Sequence, residues 1–464
     1  MTRLTRRQML TGSAGLGLTA AAGVPPLLAK SPQVFDLTSR RTSFQFGDHI
    51  TEGLVSLTDN GPPPVLRMKQ GQPVALNYTN GLADYSTIHW HGIRCPNNMD
   101  GVPYLTQFPV AEGETFRYAF TPPDAGTFWY HPHCMTMAQM AEGFTGVLIV
   151  EEAEDQGYDA DITLNLKDFR LDGAGALMEH FTPRGAARGG TLGTVKTTNW
   201  LDDPLYDVPA GGLVRLRIAN TDTTRIHKLV FPDVPGRIIA WDGQPIDEAV
   251  PWPTMEAPLW LGTGQRVDVV IVAPGGEGEE LTFQSLIGRR TPFNIGRLRS
   301  VGQTLNRAEG DIRDLPRNPF DAPDVTNAQV VELEFGWTPE GGEVNNGLCG
   351  VFGYSFWSIN RSPWPGDAVA GTGPVVQMDL GQSYILRMRN TSPNMHPIHL
   401  HGLVFKPLRS NLRHIPANYT DTILLFEDEI VEVAVVADNP GDWAFHCHVI
   451  EHQKTGLSGY IRVG

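Results

Sequence analysis

A chain of 464 residues is too long for a single hydrophobic core and sets an expectation of two to four domains. Its formal net charge of −15, with no lysine- or arginine-rich cluster beyond the N-terminus, argues against binding nucleic acid or an anionic membrane surface. With 50 Gly, 36 Pro and a charged fraction of 19%, the composition suits short strands joined by turns, so the expected class is all-β.

Residues 1–31 read as a signal peptide. Basic Met1–Arg7 precedes a Gly/Ala/Leu-rich stretch from Leu10 to Ala29. Arg6-Arg7, followed by Gln8-Met9-Leu10, resembles the twin-arginine export signal, which implies a periplasmic or secreted protein. No later run reaches the roughly 18 apolar residues of a spanning helix, so no membrane span is expected.

From residue 32 the chain repeats itself. Gly71 to Asn80, Gly212 to Asn220 and Gly381 to Asn390 each join a turn glycine to an alternating strand and a closing Asn. The first copy leads into His89-Trp90-His91 and the third into His396-Pro397-Ile398-His399-Leu400-His401. The middle copy leads only to Arg225-Ile226-His227-Lys228. A second repeat matches Gly126 to His133 with Gly441 to His448, and each copy closes on a similar strand, Gly143 to Val150 and Gly456 to Val463. The expected architecture is three Greek-key β-sandwich domains at 32–152, 153–318 and 328–464, the middle one without a metal motif. Leu315 to Pro323, rich in proline, reads as a linker.

Ten of the fourteen histidines fall in four motifs: His89/His91, His131/His133, the 396–401 group, and His446-Cys447-His448 with His452 after it. On an extended segment Cys447 points to one face while His446 and His448 point to the other, so one strand can join two metal centres. Two imidazoles and a thiolate, here His396, His452 and Cys447, are the donors of a blue-copper electron-transfer site. The weak axial position falls on Leu457, which cannot coordinate, and a higher reduction potential follows. The other eight histidines form four His-x-His pairs, enough for three further copper ions between the first and third domains. A single pair would usually be structural, but eight clustered imidazoles are costly to bury without metal. Zinc accounts for neither their number nor the thiolate set.

These motifs resemble the multicopper oxidase family of laccases and bacterial cuprous oxidases, across essentially the whole mature chain. The resemblance implies three cupredoxin-like domains and four copper ions. It assigns the type 1 copper to His396, Cys447 and His452, and the type 2 copper to His89 and His399. One type 3 copper falls to His91, His131 and His448, the other to His133, His401 and His446. Asp100, in Asn98-Met99-Asp100-Gly101, matches an acidic residue that assists proton delivery. Cys447, His446 and His448 would carry electrons, taken singly from a reductant near His452, to the cluster where dioxygen becomes two waters.

Gln453 departs from the glutamate that some bacterial members use in proton supply. Glu451, on the other side of His452 in the chain, faces the opposite way from His452 if that segment is extended. The methionine-rich insertion of dedicated cuprous oxidases is missing. The expected reductant is therefore a phenol or aromatic amine, with a cuprous or ferrous ion as the alternative, and a copper-free envelope scaffold as the alternative outside catalysis. The aromatic run from Val351 to Trp357 can border a substrate cleft, although packing is its commoner fate. If Cys447 is a ligand, Cys95, Cys134 and Cys349 remain. One disulfide and one free thiol fit an oxidising compartment, and spacing leaves the pairing open. Cys134 stands among Met135, Met137 and Met140, a soft-ligand group more often used for packing. No oligomeric state follows from the sequence.

Overall fold

Residue alternation sets the strand faces. In Ser383–Asn390, Tyr384, Leu386 and Met388 turn into the core while their neighbours face outward. Leu213–Asn220 is buried on both faces, because its outward Arg215 and Arg217 are covered and paired with Asp268 and Asp161. The computed structural model describes residues 31–288, 291–338, 348–349, 353–366 and 373–464. The expected signal segment, apart from Ser31, lies outside the described residues, as do Val351 and Phe352 of the aromatic run. No helix among the described residues is long and apolar enough to cross a membrane.

The described chain is nearly all β, in six sheets. They form three face-to-face pairs, each closed around its own apolar core. The first pair spans strands from Gln33–Phe46 to Gly146–Glu151 and encloses Leu76, Tyr118, Trp90 and Leu148. The middle pair runs from Ala160–Phe169 to Thr291–Val301 around Leu216, Val269 and Phe283. The third runs from Gln329–Trp337 to Ser458–Val463 around Phe335, Leu386, Ile398 and Phe445.

The repeated turn has one physical form. Gly71, Gly211 and Gly381 hold φ of +68°, +60° and +80°, a region that favours glycine. In the middle copy the turn glycine is thus Gly211, one residue earlier than the sequence comparison placed it. Asn80, Asn220 and Asn390 then stand at the same distance from these glycines and fold the next corner identically. Each side-chain oxygen accepts the amide two residues on, from Leu82, Asp222 and Ser392. Each Nδ2 donates to two carbonyls: Asp84 and Val110, Arg225 and Leu261, or Asn394 and Phe426. Beyond the corner, each copy starts a strand with histidine: His89–His91, His227–Val230 and His396–Leu400.

The sandwiches are tied by specific groups. Asn318, in the proline-rich connection, bonds Ala125, Gln70 and Gln244. Asn97 donates to the Asp442 carbonyl, and Asn439 to that of Cys95, joining the first sandwich to the third. Cys134 forms a disulfide with Cys349, while Cys95 and Cys447 are free and buried. Met137 and Met140 lie on the short helix Thr136–Ala141 and pack with Trp129 and Ile450, so these two serve packing.

Candidate metal centre

Cys447 ends the strand Gly441–Cys447, opposite Ile398, and His452 sits one turn beyond on the helix Ile450–Lys454. Its Sγ lies 3.6 Å from His396 Nδ1 and 3.5 Å from His452 Nδ1. The outer edges of both rings are fixed. His452 Nε2–H donates to the Arg188 carbonyl at 2.5 Å, so its Nδ1 carries the lone pair. Ser392 Oγ donates to Asn390 Oδ1, which leaves it to accept from His396 Nε2 at 2.8 Å. Both Nδ1 lone pairs therefore face the sulfur. Trp357 covers the two imidazoles, with ring centroids 4.9 and 4.6 Å away. Burial pushes His452 down to about 4, His396 well below its ordinary value and the Cys447 thiol upward. A thiolate in this setting calls for a cation beside it.

On the opposite face of Cys447 lie the other eight histidines, all enclosed. Strand pairing sets His89 across from His131 and His399 across from His446. His133, His401 and His446 offer nitrogen atoms within 4.8 Å of one another, and the Nε2 atoms of His401 and His446 are 3.0 Å apart. His89 and His399 meet in a second group that also includes His401. The remaining expected set converges less. His448 has ring centroids 4.9 Å from His91 and 5.3 Å from His131, while His91 groups with His89 and His131 and also with His399 and Asp421.

Asp100 bridges the two copies. Its Oδ2 accepts from His401 Nδ1 at 2.9 Å, and its carbonyl accepts from His89 Nδ1 at 2.8 Å. The turn needs its glycine, because a Cβ on Gly101 (φ +83°) would fall 1.8 Å from the Ile88 carbonyl oxygen. Gln453 Nε2 stands 3.3 Å from His133 Nε2. Glu451 is not on an extended segment: residues 450–454 are helical, and its buried carboxylate accepts from Thr191 N and Oγ1. Burial raises it to about 7.

Asp421 and Trp129, both against the histidine cluster, escaped sequence reasoning. Asp421 Oδ1 lies 3.1 Å from His91 Nε2, its carbonyl accepts from His399 Nδ1, and Arg266 binds its carboxylate. Nothing around Asp421 marks it except a polar Thr-Asp-Thr run entering a buried strand. Trp129 packs on His91, His131 and His448, a role its place between phenylalanine and tyrosine conceals.

The donor set fits copper. His89 Nε2, His91 Nδ1, His131 Nε2, His133 Nδ1, His399 Nε2 and both His448 nitrogens are buried without a hydrogen-bond partner. Burial, with mutual repulsion added, holds His91, His131, His133, His401, His446 and His448 neutral. So many unpartnered lone pairs converging in one cavity are costly unless metal ions take them up.

Residues 39–155 and 343–464 each match a multicopper oxidase profile. The solved multi-copper oxidase of Pseudomonas thermotolerans is 37% identical with a TM-score of 0.82, over 94% of this chain and 100% of that one. The chain belongs to the multicopper oxidase family. Multicopper oxidase MmcO of Mycobacterium tuberculosis is 27% identical over 86% of this chain and 80% of its own. Laccase-1 of Cryptococcus neoformans is 24% identical over 94% and 83%. As a multicopper oxidase, the protein is a copper-dependent oxidoreductase with oxygen as acceptor.

Proposed function

We propose that this multicopper oxidase is laccase-like, coupling one-electron oxidation of phenols or aromatic amines to reduction of dioxygen to water. The observation that carries the reading is the placement of Cys447. Its sulfur faces His396 and His452 at 3.6 and 3.5 Å, while adjacent His446 reaches His401 on the other face at 3.0 Å. Electron entry and the oxygen-reducing cluster are thus one residue apart along the chain.

His396, Cys447 and His452 would hold the type 1 copper, and His89 with His399 the type 2 copper. His91, His131, His448 and His133, His401, His446 would hold the type 3 pair. Bound copper supplies the one-electron redox change and the reduction of oxygen. The protein's own groups do the rest. Asp100 orients His401 and His89, with its Oδ2 on His401 Nδ1 and its Oδ1 3.2 Å from His89 Nδ1, which places its carboxylate beside the cluster. Trp129, Trp357 and the enclosing sheets keep water from both centres. Domain boundaries near residue 152 and between 318 and 328 belong to this reading. So does export to the periplasm or beyond, which the Cys134–Cys349 disulfide supports.

Relatives include both laccases and iron-transport oxidases, so the reductant is assigned on this chain's residues. Leu457 in place of an axial thioether and the missing methionine-rich insertion favour an organic reductant. Oxygen uptake by the copper-loaded protein, compared for a phenol, Cu(I) and Fe(II) by kcat/KM, tests this. Dominance of the phenol supports a laccase, and dominance of a metal ion makes the protein a metallo-oxidase.

A further inference from the structure

Neither imidazole beside Cys447 reaches solvent, since His396 and His452 are both 0% exposed. The outer nitrogen of His452 is committed to the Arg188 carbonyl, and that of His396 to Ser392. A reductant therefore meets some other group first. Trp357, also 0% exposed, contacts both rings, and its Nε1 donates to the Ala186 carbonyl at 2.7 Å, which locks the indole in place. Its cross-strand partner is Trp337, the last residue of Gln329–Trp337. The two indoles are stacked with centroids 4.2 Å apart and planes inclined by 17°. Trp337 is 42% exposed. An unbroken series of π-systems in van der Waals contact thus runs from the surface to both nitrogen donors of the site.

We infer that Trp337 is an electron-entry port for bulky aromatic reductants, which stack on its exposed face and deliver electrons through Trp357 to the centre at His396, Cys447 and His452. The inference rests on the reading that this centre holds copper. In each step a phenol loses one electron and its hydroxyl proton, becoming a phenoxyl radical. The proton goes to solvent, and the electron crosses the stack to reduce Cu(II) to Cu(I). The other approach, at Arg188, opens only when a reductant displaces the carbonyl from His452. A small phenol suits that approach, whereas a polymer-linked one requires a flat surface ring. A pair kept for packing alone would not distinguish reductants by size.

The test compares Trp337→Leu and Trp337→Phe with the parent protein, using a free phenol and the same phenol attached to a soluble polymer. The first readout is anaerobic bleaching of the blue absorbance. With the polymer-linked phenol, Trp337→Leu is expected to slow bleaching by about tenfold, and Trp337→Phe to recover part of the loss. With the free phenol, both variants are expected to stay within about twofold. The second readout uses copper-free protein: the polymer-linked phenol should quench tryptophan fluorescence in the parent, with much weaker binding to Trp337→Leu. Equal slowing for both phenols, or unchanged rates with the polymer-linked one, overturns the port. A copper-loaded parent with no blue band overturns the copper reading on which the port depends.

Discussion

Arg266 grips Asp421 through two nitrogens, Nη2 to Oδ2 at 2.7 Å and Nη1 to Oδ1 at 2.9 Å, with both side chains sealed from solvent. The pair joins the middle sandwich to the third, and Asp421 in turn reaches His91 of the first. Burial works to raise the Asp421 pKa, but the guanidinium outweighs it and holds the carboxylate well below its usual range. Asp421→Asn takes the bidentate carboxylate from buried Arg266 and leaves it Asp242 at 3.4 Å, and breaking such a buried pair costs about 3–5 kcal/mol. The substitution also puts a neutral amide in place of the carboxylate beside His91 Nε2. The variant is expected to melt at lower temperature and to lose copper from the eight-histidine cluster while keeping its blue band. Metal analysis beside absorption spectra checks this, and an unchanged melting point with full copper would refute it.

His227 occupies, in the middle sandwich, the place that His89 and His396 hold in the other two. With no metal-holding group around it among the described residues, it bonds Ser285 and is kept neutral. Burial lowers its pKa to about 3, Arg225 adding to the effect and Asp222 opposing it. The unfolded chain protonates this residue below about 6.5, whereas the folded protein does so only near 3. Unfolding therefore takes up a proton in that window, and stability falls as pH falls through it. Between pH 7 and pH 5 the contribution is about 2 kcal/mol. His227→Gln should lose about that much less stability over the same interval, measured by urea unfolding at both pH values. Identical losses in variant and parent would show that His227 does not titrate as its burial requires.

Much of this was legible in the sequence because strand geometry is local. Alternation alone puts Cys447 and His446 on opposite faces, and the repeated turn, strand and Asn announce sandwiches built alike. The errors were local too. Adjacent glycines at 211 and 212 hid which one carries the positive φ, and Glu451 looked extended because five helical residues after His448 leave no periodic pattern. Asp421, Arg266 and the Trp337–Trp357 stack were beyond reach for another reason. Asp421 is separated from His91 by 330 residues, and only the packing of three sandwiches brings them together.

The Cys134–Cys349 disulfide closes a loop of 215 residues and fastens the segment directly after His133 to the third sandwich. In the chain-entropy treatment a loop of that length corresponds to about 5 kcal/mol of unfolded-state restriction. Cys134→Ser with Cys349→Ser is expected to lower the melting temperature by several degrees. The anchor lies beside one cluster ligand and far along the chain from Cys447. Copper release to a chelator should therefore quicken at the cluster before the blue band fades. Simultaneous loss of both signals would mean that the bridge stabilises only the whole fold.

Cys447→Ser separates the electron path from the fold. The main chain at this position is held by a bond from Cys447 N to the Leu457 carbonyl at 3.0 Å, which does not involve the thiol. Serine is close in size, and the apolar neighbours Ile398 and Leu457 remain in place. The variant should fold, keep its circular dichroism and retain copper bound by the other eight histidines. Its hydroxyl cannot replace the thiolate that makes the site blue, so the blue absorbance should vanish and oxygen uptake with a phenol should drop to background. In the proposed route the sulfur is also the covalent start of the path to His446 and His448. Turnover that survives its removal would mean electrons reach the cluster without passing through residue 447.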